Sequence, residues 1–373
     1  MFDELTKKKH RIQDFVYSIP EHTPEELCQL IRDQNYIGQE KALRALCLMA
    51  FRHIRRLKKI YIDKIDPASL PKKQNCLLIG STGCGKTYLV ELLFKDLLKI
   101  PTAIVDITNY SETGYVGQDV SSIITRLLYA SNYDPDLASV GIVCIDEIDK
   151  IASSNNSALF AGAGTTKDVT GFGVQRELLK MLESVEIPVS TEFGHSTYGN
   201  YFLISTRDIA FIGCGAFSGF KQISGRDTNN IIGFTRNVSL KELNKIAVNY
   251  SEAEIENTAN FQSYGLLPEL VGRFQRIIPF SALNIDEMAV ILKKNVIDRY
   301  KNDFILDGIE LVIKNSVIEY IAKKAIQKET GARGLESVLI SHIEDLTFDA
   351  YSKKGVKKIV LELKNGEIKG RFH

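Results

Sequence analysis

Gly80-Ser81-Thr82-Gly83-Cys84-Gly85-Lys86-Thr87 fits the pattern G-x-x-x-x-G-K-[ST] at every fixed position. Glycines in such a loop let the backbone turn its amides inward around phosphate oxygens. The helix that follows adds the positive end of its dipole at the same point. Lys86 is placed to reach the β- and γ-phosphates of a nucleoside triphosphate, and the Thr87 hydroxyl is the kind of oxygen that holds Mg²⁺. The alternative is a glycine-rich turn that binds nothing. An apolar run before the loop, and Leu89, Leu92, Leu93 and Leu97 after it, supply the strand–loop–helix context that argues against it.

Ile142-Val143-Cys144-Ile145-Asp146-Glu147 supplies the complementary chemistry. Four apolar residues bury a strand and deliver two carboxylates to its C-terminal end, where parallel α/β sheets take their ligands. Asp146 suits the Mg²⁺ shell and Glu147 suits polarisation of an attacking water. By itself the run reads as a strand that ends in acidic surface residues. Beside a complete phosphate loop, the two motifs together predict an ATP hydrolase that uses Mg²⁺.

These side chains need a sheet to hold them. Short apolar runs at Cys76–Ile79, Thr102–Asp106, Ile142–Asp146, Ile209–Ile212 and Arg276–Phe280 alternate with helical patterns such as 87–98 and 174–182. That alternation predicts a parallel sheet covered by helices on both faces. Upstream, two helices are expected over 24–59. Thr23 caps the first with Glu26 three residues on, and the second shows apolar residues at 43, 46, 47, 50 and 54. Three stretches, 152–172, 185–202 and 218–237, read as polar loops of functional length. From about Leu283 the pattern turns helical, over 286–302, 315–328 and 332–352. An alternating strand, 358–363, and an Asn365-Gly366 turn then close the chain.

The 373 residues exceed one compact domain. A net charge of +1 gives no global field toward nucleic acid or membrane. Of the two basic runs, 7–11 reads as a solvated tail and 52–59 as the basic face of a helix. The six cysteines, at 28, 47, 76, 84, 144 and 214, form no C-x-x-C pair, so no zinc site is expected. Reduced buried thiols, no signal-peptide core at the start and no 18-residue apolar run fit a cytoplasmic protein.

With these motifs in place, the sequence resembles the ClpX branch of the AAA+ ATPases over about residues 20–355. The phosphate loop and Asp146-Glu147-Ile148-Asp149-Lys150 are similar to the AAA+ nucleotide motifs. Tyr36-Ile37-Gly38-Gln39-Glu40-Lys41-Ala42 resembles the family's segment flanking the nucleotide. Gly114-Tyr115-Val116-Gly117 resembles the first pore loop, and Thr166–Gly171 the second. Tyr264 to Arg273 resembles the arginine-finger segment, and Thr330-Gly331-Ala332-Arg333-Gly334-Leu335 the sensor-2 motif. The resemblance implies a large P-loop NTPase AAA+ α/β domain, 23–282, after a tail, 1–22, and before a small, mostly helical α+β lid domain, 283–373. Nucleotide contacts fall on Ile37, on Gly80, Ser81, Thr82, Gly83, Cys84, Gly85, Lys86 and Thr87, and on Tyr88. Thr87 and Asp146 hold the metal and Glu147 activates water. Arg273 reaches a neighbouring subunit's ATP, and Arg333 acts within its own subunit. A guanidinium at the transferring phosphoryl group can be worth about 10³–10⁵ in rate.

The resemblance further implies a homo-hexameric ring that threads protein substrates past Tyr115 and Val116. The apolar Ile232-Gly233-Phe234, stranded in a polar loop, would dock a ClpP-type peptidase. The family's N-terminal zinc-binding domain has no counterpart in this sequence. The stretch near Glu192–Tyr198 keeps His195 but lacks the family's Arg-Lys pair, so tag recognition is expected to differ. A stand-alone remodelling ATPase without a protease is the nearest alternative. A nucleic-acid-acting AAA+ protein is more distant, because it would need a basic or aromatic channel. A nucleotide-gated scaffold would not need both Glu147 and Arg273.

Overall fold

The computed structural model describes residues 11–111, 118–152, 170–183, 185–190, 201–218, 220, 255–353 and 355–373. Contacts divide the chain into two units. The first comprises Met1–Leu30, Glu40–Gly80 and Lys86–Phe280, and the second Ile31–Gln39, Ser81–Gly85 and Ser281–His373.

In the first unit the strands are β1 (Cys76–Ile79), β2 (Thr102–Asp106), β3 (Tyr110–Ser111), β4 (Gln118–Asp119), β5 (Ile142–Asp146), β6 (Glu186–Ser190), β7 (Tyr201–Ser205), β8 (Ala210–Gly215) and β9 (Arg276–Pro279). Five of them form one sheet in the order β2-β5-β8-β1-β9, parallel throughout. β1 and β8 are buried at every position, as expected of strands covered on both faces. Register places Asp106 beside Asp146 and Ile79 beside Gly215, so the strands finish at a common edge.

The helix Pro24–Asp33 begins with the expected box. The Thr23 N–H donates to Glu26 at 2.7 Å and the Glu26 N–H to Thr23 Oγ1 at 3.2 Å, satisfying two otherwise orphaned donors. Helix Glu40–Tyr61 buries Leu43, Leu46, Cys47, Ala50, Ile54 and Leu57. In its basic run, Arg52, Arg55, Arg56 and Lys59 share one face at the i, i+3, i+4, i+7 spacing. Arg52 and Arg55 are exposed whereas His53 is buried, because successive helical residues point about 100° apart. After the phosphate loop, the expected helix starts as Lys86–Val90 and widens to π geometry over Glu91–Leu97.

The stretch 185–202, expected to be a polar loop, contains paired strands. β6 and β7 run antiparallel from Glu186↔Ser205 to Ser190↔Tyr201. Ile187, Val189 and Ile204 are buried while Leu203 is exposed. A half-buried strand needs only two or three apolar residues at a period of two, and the Ser, Thr and Gly around them hide that signal.

The second unit has its own core, containing Met288, Leu292, Val317, Ile321, Leu335 and Leu339. Helices Ile285–Ile291, Asp298–Leu306, Asn315–Gln327 and Arg333–Ser352 surround it, with a π segment at Leu292–Ile297. The first opens on a capping box between Asn284 and Glu287. Three strands, β10 (Glu310–Ile313), β11 (Lys358–Lys364) and β12 (Glu367–Phe372), form a sheet in that order. β11 and β12 are antiparallel around Asn365 and Gly366, whose positive φ values of 52° and 79° are those the expected tight turn requires. β10 was not expected from the sequence. Among the described residues no helix is long and apolar enough to cross a membrane.

Candidate active site

The phosphate loop leaves β1 at its C-terminal end, and the Gly80 N–H donates to the Gly215 carbonyl at 3.2 Å. Lys86 is only 8% exposed, and its Nζ donates to the Gly80 carbonyl at 2.6 Å. The ammonium is thereby folded back onto the backbone at the end of β1. The Thr87 hydroxyl donates to Asp146 Oδ2 at 2.8 Å. The other oxygen, Oδ1, accepts the Glu147 N–H at 2.9 Å. A hydroxyl and a carboxylate so close form a pair of hard oxygen ligands of the kind Mg²⁺ selects alongside substrate phosphates.

Glu147 lies just beyond β5 with φ 56°, a left-handed backbone that a non-glycine residue adopts rarely and mostly where function holds it. Its side chain is exposed while Ile148 and Asp149 behind it are buried. The carboxylate is therefore accessible to water. Asp149 accepts from the N–H groups of Ala216 and Phe217 at 3.2 and 3.1 Å. This fixes the end of β8 against the turn that follows Glu147.

Within the second unit, the loop residues 81–85 meet two other segments. Tyr36 is buried and its hydroxyl donates to the Gly85 carbonyl at 3.3 Å, while Ile37 beside it is half-buried. The Ala332 N–H donates to the Gly83 carbonyl at 3.0 Å. A Cβ on Gly83 would lie 2.4 Å from the Thr330 carbonyl oxygen, and one on Gly331 2.6 Å from that of Thr82. Two bare backbones touch here, and both glycines have positive φ, so no other residue fits either position. Arg333 follows as the exposed first residue of its helix. Cys84 is buried, leaving its backbone as the part able to contact phosphate.

Gly80, Lys86, Thr87, Asp146 and Glu147 thus come together in the first unit. Ile37, Ser81, Thr82, Gly83, Cys84, Gly85 and Arg333 belong to segments gathered in the second. Tyr88 is exposed on the first turn after the loop. Arg273 is not among the groups around Asp146, since its guanidinium bonds the Glu183 carboxylate and is partly open to solvent. Tyr115, Val116, Ile232, Gly233 and Phe234 lie outside the described residues, as does most of Thr166–Gly171.

Sequence reasoning gave no role to Asp149, Gln175 or Glu183. Asp149 had a visible signal, a second aspartate three residues after Asp146. Gln175 had a subtler one, a polar residue inside the apolar stripe of Val174, Leu178, Met181 and Leu182. All six cysteines are buried free thiols. Burial pushes the Cys76 thiol up to about 12, and the Cys144 thiol, hydrogen-bonded to Cys214 at 3.6 Å, is pushed up as well. Neither of these two thiols is suited to act as a thiolate nucleophile.

Comparison with known families agrees with this geometry. Residues 71–277 match the AAA domain family (Cdc48 subfamily), and residues 283–361 match the C-terminal, D2-small domain of ClpB protein. The chain is 36% identical over 332 residues to an "ATP-dependent Clp protease ATP-binding subunit ClpX" from Bacteroides thetaiotaomicron, covering 87% of this chain and 77% of that one. A protein of the same description from Bacteroides fragilis is 36% identical over 326 residues, covering 86% and 75%. One from Borrelia duttonii is 34% identical over 344 residues, covering 91% and 77%.

Proposed function

The chain belongs to the AAA family and, within it, to the ClpX family of ATPases, and from that premise we propose that it uses ATP hydrolysis to unfold protein substrates and thread them through a ring. The observation that carries the reading is the bond from Thr87 Oγ1 to Asp146 Oδ2, with the exposed Glu147 next in sequence. It joins the phosphate-binding loop to the strand end that presents Glu147, a hydrolytic carboxylate that a nucleotide-gated scaffold would not need.

The chain is an ATP hydrolase. In the proposed reaction Lys86 and the loop amides hold the phosphates, and Glu147 orients the attacking water and takes its proton. Thr87 and Asp146 would hold Mg²⁺, which neutralises charge on the phosphate oxygens. Arg273 would complete the site of the neighbouring subunit and Arg333 that of its own. That division of labour requires a ring, and a homo-hexamer is the assembly we propose. Tyr115 and Val116 would grip the substrate, and Ile232-Gly233-Phe234 would dock a ClpP-type peptidase. A reducing cytoplasm suits the six free thiols.

Two variants separate these steps. Tyr115→Ala should hydrolyse ATP yet fail to unfold a folded fluorescent protein that carries an unstructured tail. Deletion of Ile232–Phe234 should keep ATP turnover and unfolding but abolish degradation by an added ClpP-type peptidase. Unfolding by Tyr115→Ala at the wild-type rate would reject the pore assignment. If the intact protein binds no peptidase in any nucleotide state, a stand-alone remodelling ATPase becomes the better reading.

A further inference from the structure

Helix Thr170–Leu182 carries one polar side chain in the middle of its buried face. Gln175 is 0% exposed, and Val174, Leu178, Met181 and Leu182 around it belong to the main core. An amide in such a place costs stability unless its donors and acceptor are satisfied, and here both ends are. Nε2 donates to the Ile151 carbonyl at 2.8 Å and to the Gly265 carbonyl at 3.1 Å, while Oε1 accepts the Leu267 N–H at 2.7 Å.

The partners matter more than their number. Ile151 ends the helical turn Ile148–Ile151, which starts immediately after Glu147. Gly265 and Leu267 open the segment that runs through the short helix Pro268–Val271 to Arg273. One side chain therefore joins the backbone behind the hydrolytic carboxylate to the backbone that leads to the arginine.

Two other contacts make the same connection. Asp149, on the turn after Glu147, holds the Phe217 N–H, and the Phe217 ring lies 5.3 Å from that of Tyr264, the residue before Gly265. The same helix leads at its C-terminal end to Glu183, whose carboxylate bonds the Arg273 guanidinium. Gly171, in its first turn, has no room for a Cβ, which would sit 2.7 Å from the Ile151 carbonyl oxygen. The helix therefore rests directly on the turn behind Glu147 at one end and reaches the arginine at the other.

We propose that Gln175 is a positioning residue for Arg273. It keeps the arginine's segment in register with the turn behind Glu147, so that the guanidinium offered to a neighbouring subunit follows the state of this subunit's own ATP site. The proposal rests on the roles given above to Glu147 and Arg273. A buried amide with a packing role alone would make the same hydrogen bonds, and the two are separated by what its loss does to turnover.

The test compares ATP turnover, KM for ATP and thermal midpoint in Gln175→Glu, Gln175→Met, Arg273→Lys and the Gln175→Glu/Arg273→Lys double variant. Gln175→Met keeps the length and removes all three bonds. Gln175→Glu keeps the acceptor for Leu267 but turns an oxygen toward two carbonyls, so a folding failure in one leaves the other. The expected result is a kcat about 2- to 30-fold lower at unchanged KM and assembly. Combination with Arg273→Lys should bring less than the product of the two separate losses. Wild-type kcat in a folded Gln175 variant, or losses that multiply in the double variant, overturns the proposal. Wild-type kcat in Arg273→Lys instead overturns the arginine's assignment, whereas wild-type kcat in the Gln175 variants alone overturns the positioning role. In the wild-type ring, hydrogen exchange at the Leu267 amide should differ between ATP- and ADP-saturated protein. Equal exchange counts against the coupling.

Discussion

The two ends of the main sheet both bury a lysine, and they use it in opposite ways. At the C-terminal ends of the strands, Lys86 folds back onto the Gly80 carbonyl, next in sequence to Thr87, which bonds Asp146 beside the exposed Glu147. Ahead of the N-terminal ends, Lys73 donates to the Thr206 and Ile209 carbonyls at 2.6 and 2.8 Å and lies 4.8 Å from the centre of the Phe211 ring. Asp208 binds the Tyr61 hydroxyl and the Arg207 guanidinium, with Arg56 3.8 Å away. Burial pulls Lys73 down to about 7 and His53 to about 4, against the field of Asp208 in both cases. A cluster of titratable groups shifted this far is commonly taken to mark an active site. Here it ties helix Glu40–Tyr61 to the strand entries, and the chemistry belongs to the other end.

Substitutions should therefore cost rate at one end and stability at the other. The largest effect is expected for Lys86→Met, which removes the phosphate-binding ammonium and should lower kcat by about 10²- to 10³-fold with little change in Tm. A comparable fall in Tm would blur the contrast. At the other end, Asp208→Asn leaves Arg56, Arg207 and Lys73 without their carboxylate. It should cost about 3 kcal/mol and lower Tm by roughly 10 °C, while the folded fraction hydrolyses ATP at the wild-type rate.

His53 extends the contrast to pH. Its folded pKa lies below the unfolded value of 6.5, so the unfolded chain binds the proton first as pH falls. Stability is complete above about 6.5 and declines toward pH 4, by up to about 3 kcal/mol. His53→Gln should flatten that limb in thermal melts between pH 4 and 7. The smallest effect is expected in the second unit. There Glu362 is held down to about 2, first by its bond to Lys314 and then by Lys364 and Arg371. Its stabilisation is present above the ordinary carboxylate range and is lost as pH falls through about 2. Glu362→Gln should therefore lower stability modestly at neutral pH, with the difference from wild type vanishing near pH 2.

The nucleotide end was legible in the sequence because its chemistry is local. Eight consecutive residues build the loop, and one apolar run delivers Asp146 and Glu147. The opposite end was not, because His53, Arg56, Lys73 and Asp208 come from three separate stretches that only the sheet brings together. Short apolar runs located β1, β2 and β5 to the residue. The β2-β5-β8-β1-β9 order is a long-range property that no local pattern encodes. β6 and β7 escaped because the Ser-, Thr- and Gly-rich sequence between them outweighs the Ile187/Val189 alternation and the short Tyr201–Ile204 run, and Gln175 escaped because its meaning lies in Ile151 and Leu267, far from it along the chain.

The central claim is that hydrolysis is performed by Glu147 at the end of β5. The most direct measurement is nucleotide occupancy and turnover of Glu147→Gln at saturating Mg-ATP. The account predicts full occupancy with kcat reduced by about 10²- to 10⁴-fold and Tm unchanged. Turnover at the wild-type rate would contradict it.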